Sequence, residues 1–299
     1  MTISSTVINY LRLARIANVF TIVSNILLGY LFFTPISNFD HFIIVKLISI
    51  SAFLYIGGMV LNDYFDINID KKERPWRPLS SNKITKKNAL VIILFSFSYS
   101  LIFSFIMGSN TFVITLIMIS LIFLYNKFLK NRIYGPINMG VIRSLNILLG
   151  SSQSLSLLEE SIFDVRFLIP VFSEFFYVYA ITILSKNETK EFFFNLYNIF
   201  PFVIIYLIMF FVLFFILLDI FDYQSLIPLS IYFSMIVYSQ IALLKKIITI
   251  QKFISYLIMM IVILDSIFIT DIVGIYYGLT LSFLLIIPIL FLSRKIYIT

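Results

Sequence analysis

An all-α bundle of membrane-spanning helices is the fold this sequence predicts, on three observations. Hydrophobic residues make up 61% of the chain and charged residues only 12%, where a soluble domain carries roughly 25% charge. The apolar residues gather into runs near the length of about 20 helical residues that crosses a bilayer. Basic residues concentrate in alternate loops between those runs, the pattern that fixes membrane topology.

Ten runs are expected to form the helices, taken here in chain order. The run 16–34 has no small-residue cleavage site after it and reads as a retained helix, not a signal peptide. The run 42–61 ends at an acidic stretch, and 88–107 follows the lysine-rich end of the same loop. The runs 111–126 and 137–152 are short and are expected to extend into their flanks. Next come 165–184, 199–219 and 226–244, with acidic residues in the loops at 219–222. The last two, 253–270 and 272–292, lie almost back to back, and the second returns the chain towards Arg294 and Lys295. No interruption is long enough to fold separately, so residues 1–299 are expected to form a single domain.

The net charge of +7 invites a nucleic-acid reading, but its distribution argues against one. With the N-terminus assigned to the cytoplasm, 19 of the 22 basic residues fall on that side, and the exceptions are Lys46, Arg143 and Arg166. Opposite loops carry Asp40, Glu159, Glu160, Asp164, Asp219, Asp222 and Asp271. The basicity therefore encodes topology. It implies an integral, multi-pass protein of a bacterial inner membrane or its equivalent, with both termini in the cytoplasm.

The chain has no cysteine and one histidine, His41, in an outer loop. Disulfides, thiol nucleophiles, zinc-thiolate sites and a Ser-His-Asp relay are thereby excluded. Chemistry is left to carboxylates, Lys, Arg, Tyr and Asn. These concentrate in the stretch from Asn62 to Ser81. On a helix Asp63, Asp66 and Asp70 fall at i, i+3 and i+7 and share a face. Three carboxylates that close repel one another and call for a cation. Hard oxygens suit Mg²⁺, which is commonly held by a few carboxylates together with substrate phosphates. Arg74 and Arg77 then offer planar, forked donors to a diphosphate. Arg143 lies seven residues inside an apolar run, where an unpaired charge is expensive, so it is expected to face a cavity. Tyr125 and Tyr179 belong either to a pocket or to an interfacial aromatic belt. Asn18, Asn25 and Asn146 fit either a site or interhelical hydrogen bonds.

The pattern Asn62-Asp63-x-x-Asp66-x-x-x-Asp70, followed by Arg74-Pro75-x-Arg77-Pro78-Leu79-x-Ser81, resembles the first signature of the UbiA superfamily of intramembrane prenyltransferases. The order of segments, the Tyr/Lys loop after the fourth and the acidic loop after the sixth extend the resemblance. Leu11 to Asn18 and Met139 to Asn146 look more like its EboC-like branch. The resemblance implies nine helices around a central cavity open to the cytoplasm and laterally to lipid, so 272–292 would be an extra, tenth helix. It implies Mg²⁺-dependent transfer of a prenyl group from a polyprenyl diphosphate to a lipophilic acceptor, aromatic or other. Asn62, Asp63, Asp66 and Asp70 would form a first metal site, with Arg74, Arg77, Lys130, Arg143 and Asn18 on the diphosphate and Tyr125 and Lys130 at the reacting centre.

Two departures stand out. A second aspartate pair, spaced i and i+4 in the family, is replaced here by Asn187 and Glu191, with Glu188 between them. Glu188 and Glu191 would then hold a second ion with less negative charge. In the Tyr-x-x-x-Lys element the expected lysine position, 129, is leucine, and lysines stand at 127 and 130. These departures keep open a rival reading, a non-catalytic lipid or small-molecule carrier on the same fold. A membrane phosphotransferase of the CDP-alcohol type is a weaker rival, because its Asp-Gly-x-x-Ala-Arg element is absent.

Overall fold

The computed structural model describes residues 3–130, 132–154, 164–186 and 196–293. All regular structure in those residues is helical. A short amphipathic helix, α1 (Ile3–Leu13), precedes the first span and was not expected from the sequence. There follow α2 (Val19–Phe33), α3 (His41–Phe65), α4 (Ile67–Glu73), α5 (Lys86–Met107), α6 (Ser109–Leu124) and α7 (Gly135–Ser151). The second half comprises α8 (Val165–Ser185), α9 (Leu196–Leu217), α10 (Leu226–Leu244), α11 (Ile250–Val273) and α12 (Ile275–Ser293).

Helix starts are set by side chains that accept the unpaired first-turn N–H groups. Asp40 accepts from Phe42 and Ile43 ahead of α3, and Asp164 accepts from Arg166 ahead of α8. Thr85 and Thr249 do the same for α5 and α11.

Among the described residues, nine helical stretches are at least 18 residues long and apolar enough to cross a membrane. They account for nine of the ten expected runs, and the arrangement is that of a multi-pass integral membrane protein. The run 137–152 is the exception. It forms α7, which at 17 residues extends about 25 Å against a hydrocarbon core of about 30 Å.

Small residues let the helices approach. A Cβ added to Gly29 of α2 would strike the carbonyl of Ile147 in α7, and one added to Gly150 of α7 would strike that of Ile26 in α2. The two backbones meet through reciprocal glycines, a contact that membrane helices favour because lipid gives them no hydrophobic drive to associate. On α5 the buried Ser96, Ser100 and Ser104 recur every fourth residue, and Ser100 Oγ donates to the Ile50 carbonyl of α3 at 3.0 Å. Helix α11 is buried along most of its length between α2, α8, α10 and α12. Helices α2, α3, α6, α7, α8 and α11 enclose one space in the middle of the bundle.

Candidate active site

That space is a cavity of about 330 Å³, within the range of small-molecule sites. Arg15, Asn62, Arg74, Arg77 and Lys130 line its mouth. Its middle is apolar, with Leu54, Met118, Ile122, Ile142, Ile181 and Ile258. Its inner end is polar again, at Ser51, Arg143 and Asn146. Ser51 lies eleven residues up α3 from Asn62, about 16 Å along the axis.

The acidic stretch does not form one unbroken helix. Asp66 (φ −84°, ψ 0°) closes α3 and opens α4. The ladder nevertheless runs through the break, from Asp66 N–H to Asn62 O at 3.0 Å and from Asp70 N–H to Asp66 O at 2.8 Å. Asp63 and Asp70 therefore still converge. Arg77 Nη1 reaches both, at 3.2 Å from Asp63 Oδ1 and 2.8 Å from Asp70 Oδ2. Arg15 Nη2 stands 3.4 Å from Asp63 Oδ1, and Arg74 Nη1 stands 3.7 Å from Asp70 Oδ1. Lys130 Nζ donates to Asn62 Oδ1 at 2.7 Å and pairs with Asp66. Four cations thus hold three buried carboxylates. Burial pushes the Asp70 carboxyl above its ordinary range against the pull of Arg77. Burial likewise lowers Arg77, an effect that Asp63 and Asp70 oppose, and lowers Lys130, opposed by Asp66.

Among the described residues no three carboxylates stand close enough together to hold a metal as they are. The sequence pictured them as a bare cluster awaiting an ion, whereas here the guanidinium of Arg77 bridges Asp63 and Asp70. The donor set itself fits magnesium. It offers three carboxylates and an amide oxygen, and Asp70 Oδ1 is buried with no hydrogen-bond partner.

Lys130 reaches the acidic cluster by a local change of helix type. The turn Tyr125–Leu129 is π-helical, with Lys130 N–H bonded to the Tyr125 carbonyl at 2.9 Å. The wider turn absorbs one residue, so Tyr125 and Lys130 stack at i, i+5 as an i, i+4 pair does in an α-helix. Tyr125 lines the cavity. Tyr179 does not, and stacks on Phe175 at a centroid distance of 6.3 Å. Asn18 lines the cavity from a 3-10 turn, Ile16–Asn18, that follows Arg15.

Arg143 faces the cavity as expected, but at its inner end and not beside the mouth. Its Nε donates to Glu174 Oε1 at 3.0 Å and its Nη2 to the Thr21 carbonyl at 2.8 Å. These bonds anchor it at the inner end rather than among the diphosphate-facing groups of the mouth. Asn146 pairs with Ser51 and donates to the Ile22 carbonyl, while Asn25 donates to Asp265. Glu188 and Glu191 lie outside the described residues.

Sequence reasoning assigned no role to Arg15, Glu174 or Asp265. Arg15 is held in a left-handed conformation (φ 45°, ψ 48°), a strained geometry that gathers at functional sites. Glu174 and Asp265 each sit inside an apolar run, the signal that marks an intramembrane ionisable residue for attention.

A model of the UbiA prenyltransferase family matches residues 22–192. The digeranylgeranylglyceryl phosphate synthase of Sulfolobus acidocaldarius is 32% identical over 188 residues, 61% of this chain and 64% of the relative. The chain thus spans less than two thirds of the length of the curated relatives it matches. A UbiA homologue from Aeropyrum pernix K1, solved in its apo form, superposes with a TM-score of 0.66 at 10% identity, covering 85% of this chain and 97% of that one. A homologue from Archaeoglobus fulgidus, solved with DMAPP and Mg²⁺, gives 0.53 at 16% identity, covering 94% and 98%.

Proposed function

The chain belongs to the UbiA prenyltransferase family, and from that premise we propose that it transfers a prenyl group from a prenyl diphosphate to a lipophilic acceptor inside the membrane. One observation carries the reading. A mouth of paired cations and carboxylates opens onto an apolar, enclosed space. The Archaeoglobus fulgidus homologue with DMAPP and Mg²⁺ supports the donor class.

Asp63, Asp66, Asp70 and the Asn62 amide would hold magnesium, which when bound offsets the diphosphate charge and that of the leaving oxygen. Arg77, Arg74, Arg15 and Lys130 exchange their carboxylate partners for phosphate oxygens, and the fork of each arginine suits them. The allylic cation that remains would be quenched by water. Leu54, Met118, Ile122 and Ile181 keep that part of the cavity dry, and the Tyr125 ring offers a π face to the cation. The acceptor supplies the nucleophile.

Purified protein given geranyl diphosphate should bind it in a Mg²⁺-dependent way and release diphosphate once an acceptor-containing membrane extract is added. The variant Asp66→Ala should lose both while keeping its thermal unfolding profile. Mg²⁺-dependent binding without diphosphate release from any extract would favour a carrier.

A further inference from the structure

The inner end of the cavity differs in charge from its mouth. Arg143 faces the cavity, but its guanidinium is neutralised from behind by Glu174, with side chains 13% and 1% exposed. Asp265 is buried behind the same wall. Asp265 Oδ2 accepts from Ser24 Oγ at 2.5 Å and from Asn25 Nδ2 at 2.7 Å. The direct pair with Glu174 therefore leaves the inner end with no net positive charge. An anionic headgroup brought there would meet no surplus of positive charge, and in a dry interior such a mismatch is costly. An uncharged oxygen meets no such penalty. A guanidinium has five N–H donors, and one goes to Glu174 and one to the Thr21 carbonyl. Ser51 and Asn146 add neutral polar groups beside it.

We propose that the inner end is a subsite for an uncharged oxygen-bearing headgroup, a hydroxyl or a carbonyl, and that Glu174 makes it so by cancelling the charge of Arg143. The proposal rests on the prenyltransferase reading for the cavity's purpose, and it names the class of acceptor. Glu174 is a specificity-determining residue that acts through Arg143 and touches no substrate.

The test measures acceptor binding alone, by calorimetry on the full chain in detergent without any donor. Two matched pairs of probes serve: a prenylglycerol ether against its phosphate monoester, and 4-hydroxybenzyl alcohol against 4-hydroxybenzoate. In at least one pair the uncharged member should bind ten-fold or more tighter. Glu174→Gln, which keeps shape and hydrogen bonding but frees the guanidinium charge, should narrow or invert that ratio. Glu174→Ala, a second removal of the same charge in case the first variant misfolds, should move it the same way. Tighter binding of the anionic members, absence of binding by both uncharged probes, or a ratio unmoved in folded variants would overturn the proposal. Failure of the prenyltransferase reading is separate. It would show as absent Mg²⁺-dependent binding of geranyl diphosphate, which these titrations do not use.

Discussion

Arg77 is the residue on which the mouth turns, because one nitrogen, Nη1, contacts both Asp63 and Asp70. A lysine ammonium is a point charge on a flexible four-carbon stem and cannot reproduce the planar fork. Arg77→Lys should weaken geranyl diphosphate binding by roughly ten- to a hundred-fold, the loss of one charged hydrogen bond of roughly 1.5–3 kcal/mol. Equal affinities in the same detergent would show that charge alone matters. The acidic residues after α8 allow a second expectation. If Glu188 and Glu191 hold a second ion, Glu188→Gln should raise the Mg²⁺ concentration needed for half-maximal diphosphate release, and the double change with Glu191→Gln should raise it further. An unchanged Mg²⁺ requirement would leave the first acidic cluster as the whole metal site. At this scale the sequence was informative where residues sit close in the chain, as with Asp63, Asp66, Asp70, Arg74 and Arg77. It was mute where partners are far apart. Nothing in the spacing joins Arg143 to Glu174, 31 positions on, or Ser24 to Asp265, 241 positions on.

Elements were legible to the extent that hydrophobicity alone defines them. The run 226–244 coincides with α10, and 165–184 falls one residue short of α8. The larger misses have physical causes. Helix α3 runs four residues beyond 61, into the acidic stretch, because Asn62 and Asp63 find polar partners inside the fold and need not lie outside the helix. The π turn at Tyr125–Leu129 escaped because an extra residue in a helix leaves no mark on composition. The break at Asp66 is equally silent. Helix contacts, too, depend on backbone proximity. The reciprocal glycines of α2 and α7 leave no space for a side chain, and the groups they meet are carbonyls that cannot rotate away. Gly150→Ala should therefore lower the thermal unfolding midpoint in detergent, with an overpacking cost of roughly 1–3 kcal/mol. A midpoint equal to that of the parent would mean that α7 can slide along α2.

Taken whole, the charge pattern predicts that the basic loops share one side of the membrane, and the absence of cysteine gives a clean background for mapping sides. Single cysteines at Lys72 and Lys245 should react with an impermeant maleimide from one face of sealed vesicles, and those at Ser37 and Tyr223 from the other. Labelling of Lys72 and Ser37 from the same face would refute the topology. The ion lock at the mouth also couples the two ligands that the site is proposed to take. With Arg77 and Lys130 seated on the aspartates, a metal arriving alone must break those pairs, and so must a diphosphate arriving alone. Whichever binds first meets the rupture cost for both, so the second binds more tightly. By linkage the enhancement is equal in either direction. Magnesium and prenyl diphosphate should then titrate with positive cooperativity, the resting protein holding little of either.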